Sequence, residues 1–189
     1  MKKIIKLMTV MMIAIGIVGC SSKNTSDSTP ESVLNDFLTA VSVVDYEAAI
    51  EFTNASNDER KEFLEIIAPL FQMGDTGAED GMDIISMLLG FDFNVNSVET
   101  KGNKATADIT IKGYDQEYIF ELYMEEAMNL PEEVWLGEES EEIGLRVMAD
   151  VMLAAGRTLE HDTTITLVKE KGEWVVEYSN LEELSFLNQ

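Results

Sequence analysis

The only cysteine of this 189-residue chain, Cys20, follows a short apolar segment near the N-terminus. A lone thiol forms no internal disulfide bond and shares no zinc site with other cysteines. The apolar segment covers residues 7–18 and is preceded by Lys2, Lys3 and Lys6. It is shorter than the about 20 residues that a helix needs to cross a bilayer core. Because this length suits the apolar part of an export signal, the sequence predicts that the chain is exported.

The string Ile17-Val18-Gly19-Cys20 resembles the cleavage region of a bacterial lipoprotein signal peptide. The resemblance implies that the Cys20 thiol receives a diacylglyceryl group and that a peptidase cuts between Gly19 and Cys20. Residues 1–19 would then be removed as the signal peptide. Two acyl chains anchor a protein firmly where one is marginal, since each buried methylene contributes about 0.8 kcal/mol. The alternatives are an ordinary secretory signal or a membrane-anchored helix with an incidental cysteine.

The lipoprotein interpretation predicts where the protein is held. Its diacylglyceryl anchor, completed by further acyl chains such as palmitate, would attach it to the extracytoplasmic face of the cell membrane. Residues 20–29 contain the lipidated cysteine and a polar tether with nothing to bury. Nine tether residues reach at most about 30 Å when extended. Residues 30–189 are long enough for one domain with its own core, and we expect that domain to lie close to the membrane.

The charge of the chain limits its partners. It has 13 basic and 36 acidic residues, a net charge of -23, and loss of residues 1–19 would remove three lysines and no acid. Nucleic acid is therefore excluded as a plausible partner, because binding it requires basic side chains that neutralise phosphates. A domain lying flat on anionic lipid is also disfavoured. A highly solvated surface and a surface that captures cations or cationic peptides both remain open.

Candidate catalytic and metal-ligating residues are few. His161 is the only histidine, and the neighbouring Asp162 should point to the opposite face of a strand, so the two form no dyad. The acidic, glycine-rich segment 74–83 lacks the ligand spacing of a helix-loop-helix calcium site. No nucleophile elbow (Gly-x-Ser-x-Gly), phosphate loop or His-Glu-x-x-His motif occurs. The sequence therefore predicts no catalytic activity, no metal and no cofactor.

Apolar spacing predicts helices at the start of the domain and again in its middle. Pro30 suits the first turn of an opening helix, Asp45 can cap a second, and Ser56 with Glu59 forms a capping box for a third. A short apolar helix should follow near residues 82–89. Further helices are expected at 116–128 and at about 139–159, after an interruption at Pro131.

Alternating apolar residues predict two hairpins. The first has strands at 91–98 and 105–111, with a register slip before Val98 and a turn at 101–104. The second has strands at 163–167 and 174–178, with a turn near Lys171 and Gly172. A terminal helical turn at 181–187 completes the prediction. The fold class is therefore α+β, with opening helices and an antiparallel sheet of about four strands that a long helical insert divides into two hairpins.

Two stretches of the domain carry a second resemblance. The resemblance is carried by the segment Val44-Asp45-Tyr46 and by the hairpin Leu167-Val168-Lys169-Glu170-Lys171-Gly172-Glu173-Trp174-Val175-Val176. In these stretches the domain resembles uncharacterised Gram-positive lipoproteins related to nuclear transport factor two. Their cone-shaped, cystatin-like fold implies a curved antiparallel sheet around helices, usually with a concave pocket. The helical insert at 116–159 departs from the simplest form of that fold.

The resemblance suggests a non-catalytic module that binds a small ligand or a peptide in the pocket of the cone. Candidate lining residues are Tyr114, Tyr118, Tyr123 and Trp174. The alternative is a structural or interaction lipoprotein that maintains the envelope and has a packed interior. A cone-fold enzyme using His161 is a distant third. An open pocket lined by tyrosine and methionine would favour the binding module.

Overall fold

The computed structural model describes residues 28–73, 84, 86–137 and 139–184. In chain order the elements are α1 (Pro30–Ser42), α2 (Tyr46–Glu51), α3 (Asn57–Met73), β1 (Asp92–Lys101), β2 (Lys104–Gly113), α4 (Gln116–Asn129), α5 (Glu132–Trp135), α6 (Ser140–Ala155), β3 (Leu159–Glu170), β4 (Glu173–Val176) and α7 (Tyr178–Leu184). A helical stretch at 86–89 precedes β1. Gly19, Cys20, the tether up to residue 27 and the acidic segment 74–83 lie outside the described residues. No helix in the described part of the chain has the length and apolar character to cross a bilayer.

Side-chain caps begin the first three helices; those at Asp45 and Ser56 are predicted from the sequence, and the cap at Thr29, before Pro30, is not. Thr29 and Asp45 each accept a hydrogen bond from the backbone N–H three residues further on, at 3.2 and 3.0 Å. The capping box before α3 is reciprocal: Ser56 N–H donates to Glu59 Oε2 at 2.7 Å, and Glu59 N–H donates to Ser56 Oγ at 3.3 Å. Hydrogen bonds from the Ser56 side chain and backbone lower the pKa of the Glu59 carboxyl.

The four strands form one antiparallel sheet in the order β1-β2-β3-β4, which confirms the α+β class and both hairpins. The predicted register slip is a bulge between Val95 and Ser97. Helix α1 contacts both edge strands, β1 and β4, so the sheet must curve around it. The tight turn into β4 uses positive φ angles at Lys171 (51°) and Gly172 (94°).

The two faces of the sheet differ sharply in chemistry. On the outer face, Asp108 accepts hydrogen bonds from Ser97 at 2.9 Å and Thr164 at 3.3 Å, and Asp162 accepts one from Thr110 at 2.6 Å. The inner face packs against α1 and is fully buried at one end only. Its buried strand residues are Ala105, Ala107, Ile109, Ile165, Leu167, Trp174 and Val176.

Helix α1 is too short to cover this inner face. Its 13 residues span about 20 Å. Strands β2 and β3 have 10 and 12 residues and span about 33 and 40 Å. The main core therefore fills the end of the sheet where Ala105 and Leu167 pair. At the other end Ile111 is half-buried and its partner His161 is exposed.

The helical insert builds a second apolar cluster beside the main core. Its buried members are Ile84, Ile119, Val151 and Met152. The insert begins and ends at the same place, because Gly113 and Leu159 pair across β2 and β3. Arg157 stabilises the place where the insert joins the sheet. Its guanidinium donates a hydrogen bond to Asp92 Oδ1 at 2.7 Å and lies 5.4 Å from the centre of the Tyr114 ring.

Two boundaries differ from the predicted elements. Tyr178 begins α7 instead of ending β4, because Asn54 Oδ1 accepts its backbone N–H at 2.8 Å. The buried Asn180 of α7 accepts the N–H of Thr166 at 2.7 Å, which holds α7 against β3, and this helix begins three residues before the predicted terminal turn at 181–187. Helix α6 ends at Ala155 rather than near Leu159, since Gly156 (φ 69°) leaves the helical conformation and Leu159 already belongs to β3.

Gly90 lies at the junction of the two clusters, where the chain has no room for a side chain. A Cβ atom there would lie 2.6 Å from the carbonyl oxygen of Ser86 and 2.8 Å from that of Ser42. We expect Gly90→Ala to lower the free energy of unfolding by about 1–3 kcal/mol, because backbone must move to admit the methyl group. Denaturant unfolding measures this change. Gly113→Ala is the matched control, since a Cβ at Gly113 meets nothing within 4 Å. An equal effect of both substitutions would contradict the assignment.

Candidate functional site

The uncovered end of the sheet forms a cavity of about 580 Å³, here called the sheet-end cavity. Inner-face residues of β2 and β3 make its floor, and α7 closes one side. Its lining residues are Phe91, Ile111, Gly113, Tyr114, Gln116, Leu159, Glu160, His161, Thr163, Glu183 and Leu184. The volume falls within the roughly 300–1,000 Å³ that is usual for small-molecule sites.

The register of the sheet explains why the cavity is open here. Ile111 pairs with His161 and Gly113 pairs with Leu159, on the face that carries Ala107 in the core. Gly113 contributes no side chain, and the nearby Thr163 is short, so the floor is not filled from the strands. The lining therefore combines an apolar floor with a few polar groups, as binding sites for small molecules do.

The polar groups of the sheet-end cavity have a defined arrangement. Glu160, at the edge of the cavity, forms an ion pair with its cross-strand partner Lys112, with 2.5 Å between Lys112 Nζ and Glu160 Oε1. The hydrogen bond and charge of Glu160 raise the pKa of Lys112. His161, Thr163 and Gln116 supply further hydrogen-bonding groups along the lining. Asp162 lies on the outer face with Thr110, so it does not orient His161.

A second site lies in the helical insert. Two adjoining hollows of about 630 and 470 Å³ share Tyr123 and Trp135, and together they are called the insert groove. The larger hollow is lined mainly by apolar side chains of α4 and α6, including Ile119, Phe120, Leu145, Met148 and Met152. Trp135 is held in place because its indole N–H donates to the Ala127 carbonyl at 3.2 Å.

A third hollow, of about 600 Å³, has an acidic wall. It lies between α3 and α7, and Tyr178 contacts it beside Glu59, Glu62 and Glu182. Burial raises the pKa of the Tyr178 hydroxyl, and the three carboxylates and a hydrogen bond with Glu182 raise it further. Among the described residues, no group of three or more potential ligands is placed to hold a metal ion.

The four aromatic residues predicted to line one pocket do not lie together. Tyr114 lines the sheet-end cavity, and Tyr123 lines the insert groove. Tyr118 is 46% exposed on α4. Trp174 is only 8% exposed and lies in the main core, with the Lys169 ammonium 5.7 Å from its ring centre. The position of an aromatic residue in the sequence therefore does not show which pocket it lines.

Several residues that line the cavities are not predicted from the sequence. Ile111 and His161 share the inner face, and their strand alternation is visible in the sequence, but only the length of α1 shows that they are uncovered. Gly144, in the middle of α6, is a better signal. A Cβ atom on Gly144 would lie 3.4 Å from the Tyr123 hydroxyl and 3.7 Å from the Trp135 ring, so a small residue keeps the insert groove open.

No protein family and no curated protein matches the sequence at a significant level. The structure is similar to the crystal structure of a Campylobacter jejuni protein provisionally named an NTF2-like transpeptidase. The two chains are 12% identical, and the alignment covers 79% of this chain and 98% of the other with a TM-score of 0.41. Similarity at this level concerns the broad arrangement of sheet and helices.

The acidic wall makes a testable prediction about Tyr178. Because the pKa of Tyr178 is raised in the folded protein, the neutral phenol contributes its full stabilising effect below the ordinary tyrosine pKa of about 10. That contribution is lost as the pH rises through the higher pKa of the folded state. Glu182→Gln should lower the pKa only part of the way, since burial is the larger cause. Absorbance titration at alkaline pH measures the pKa of Tyr178, with Tyr178→Phe as the reference that lacks this phenol. Glu183→Gln should leave it unchanged, and an equal shift in both variants would refute the assignment.

Proposed function

We propose that the mature chain is an exported, lipid-anchored, non-catalytic binding module whose ligand site is the sheet-end cavity. One observation carries the proposal: the inner face of β2 and β3 is packed at one end and open at the other, around a space of about 580 Å³. A domain that needed only stability would gain from filling that space, because each fully buried large apolar side chain contributes about 1.5–3 kcal/mol.

The lining suggests the class of ligand. An apolar floor of Phe91, Ile111 and Leu159 favours an apolar body, and the polar groups beside it favour one hydrogen-bonding end. The net charge of -23 disfavours anionic ligands. The ligand is therefore a small neutral or cationic molecule, or the end of a short peptide.

The anchor is supported by the sequence alone. Cys20 follows a segment of the right length and composition, and the chain offers no second cysteine that would give it another partner. An anchor beside a short tether would hold the cavity near the outer surface of the membrane, where a binding module meets extracellular or periplasmic solutes.

An interaction lipoprotein is the second candidate function. Exposed apolar side chains on the insert favour it, since large exposed patches of this kind mark protein contacts. The two functions differ in the site they use, the sheet-end cavity or the insert, so substitutions in each site separate them.

Filling the sheet-end cavity tests the binding proposal. The neutral dye Nile red should bind the protein with enhanced fluorescence, and Gly113→Trp should abolish that signal, because Gly113 lines the cavity with open space at its Cβ position. The matched control, Gly144→Leu, fills the insert groove and should leave most of the signal. Circular dichroism confirms that both variants fold. A signal that survives Gly113→Trp, or that is lost in Gly144→Leu alone, contradicts the proposal.

The anchor has a direct test. Cells supplied with a palmitate analogue should label the wild-type chain, and Cys20→Ser should remove both the label and cleavage before residue 20. The wild-type protein should remain in the membrane fraction after a salt wash, because an acyl anchor is not electrostatic. An unlabelled wild-type chain, or one that stays intact in the cytosol, overturns the proposal.

A further inference from the structure

The insert groove carries a stripe of apolar side chains that are exposed to solvent. Phe120, Met124 and Met128 recur every four residues along α4, so they form one stripe on the helix. Phe120 is 60% exposed and Met128 is 75% exposed, and the stripe lines both hollows of the groove. Leu136, which follows α5, is 79% exposed.

The composition of the groove suits the recognition of a helix. Tyr123 and Trp135 are at its centre, and aromatic side chains of these types commonly provide most of the energy of an interface. Methionine side chains adapt to different partners, and Met124, Met128, Met148 and Met152 all line the groove. An amphipathic helix binds such a groove through apolar residues spaced every three or four positions.

The charge around the groove selects the partner. Residues 114–158 contain twelve acidic side chains and only two basic ones, Arg146 and Arg157. Both arginines are already paired, with Glu142 and with Asp92, each at 2.7 Å. Glu132 and Glu141 line the groove itself. A basic partner is attracted to this surface, and an acidic one is repelled.

We propose that the insert groove binds a basic amphipathic helix of a partner protein or peptide, with the apolar face on the α4 stripe and lysine or arginine residues against the acidic rim. This site adjoins the sheet-end cavity at Gln116, which lines both, but it does not depend on a ligand there. The proposal adds a protein partner to the small ligand of the proposed function.

A designed peptide tests the proposal. It has about 14 residues, or four helical turns, with leucine on one face and lysine on the other, and it carries a fluorescent label. The native protein is purified from the cells that produce it. Binding of the labelled peptide is then followed by fluorescence anisotropy. A shuffled peptide of the same composition has no apolar face, and a third peptide has glutamate in place of lysine. We expect the leucine–lysine helix to bind and the other two to bind at least about tenfold more weakly.

Substitutions locate the binding surface. Phe120→Ser with Met128→Ser should weaken the leucine–lysine peptide at least about tenfold, because both side chains belong to the stripe. Leu153→Ser is the matched control: Leu153 is 69% exposed on α6 and lines neither hollow, so binding should be unchanged. Gly113→Trp should also leave binding unchanged, which separates this site from the sheet-end cavity.

The charge component has its own test. Glu132→Gln with Glu141→Gln should weaken binding and reduce its dependence on ionic strength, since exposed charges are screened by salt. Glu47→Gln on α2, remote in sequence from the insert, should change neither.

Four results would overturn the proposal. The first is the absence of binding by the leucine–lysine peptide, and the second is equal binding of the glutamate peptide. The third is a wild-type dimer in sedimentation that Phe120→Ser dissociates, because a second copy would then occupy the groove. The fourth is binding that begins only when residues 74–83 are replaced by a glycine–serine linker, because this chain's own segment would then be the occupant.

Discussion

The difference in length between α1 and the strands of the sheet limits how much of the inner face this helix can cover. A helix rises about 1.5 Å per residue and a strand about 3.3 Å, so a helix of 13 residues cannot cover strands of 10 and 12 residues. At the covered end, Ala105 and Ala107 are buried in the main core. At the uncovered end the same face lines a cavity. The open end of this face, with the small residues Gly113 and Thr163 on its floor, therefore leaves the cavity unfilled.

The helical insert completes the structure without closing that cavity. The insert leaves the sheet after Gly113 and returns at Leu159. Because these two residues pair with each other, both ends of the insert are attached at the same end of the sheet. Arg157 ties this end to the start of β1 through Asp92. The insert packs around an apolar cluster that it shares with Ile84, Met87 and Leu88, and it keeps an exposed apolar surface. One fold thereby presents two sites of different chemistry: a cavity on the sheet and an acidic, apolar groove on the insert.

Local signals predicted the fold well, whereas the sites depend on distant contacts. The Asp45 cap, the Ser56–Glu59 box and the strand alternation around Asp108 involve residues within a few positions of one another, and the structure has all of them. The start of α7 at Tyr178 depends on Asn54, 124 residues away, and no local pattern encodes that bond. The candidate lining residues Tyr114 and Tyr123 lie in different cavities for the same reason: which residues share a cavity depends on contacts between elements that are distant in sequence.

The most direct test of this account is thiol accessibility along the inner face of β2. Because Cys20 is the only cysteine, Cys20→Ser gives a background in which a single new thiol can be followed. Ala107→Cys and Ile111→Cys place that thiol on the same face, four residues apart, on either side of the point where α1 ceases to cover the sheet. The account predicts that iodoacetamide modifies the thiol at 111 readily in the native protein and modifies the thiol at 107 only after unfolding. Equal protection at both positions would mean that the inner face is covered along its whole length, and would contradict the account.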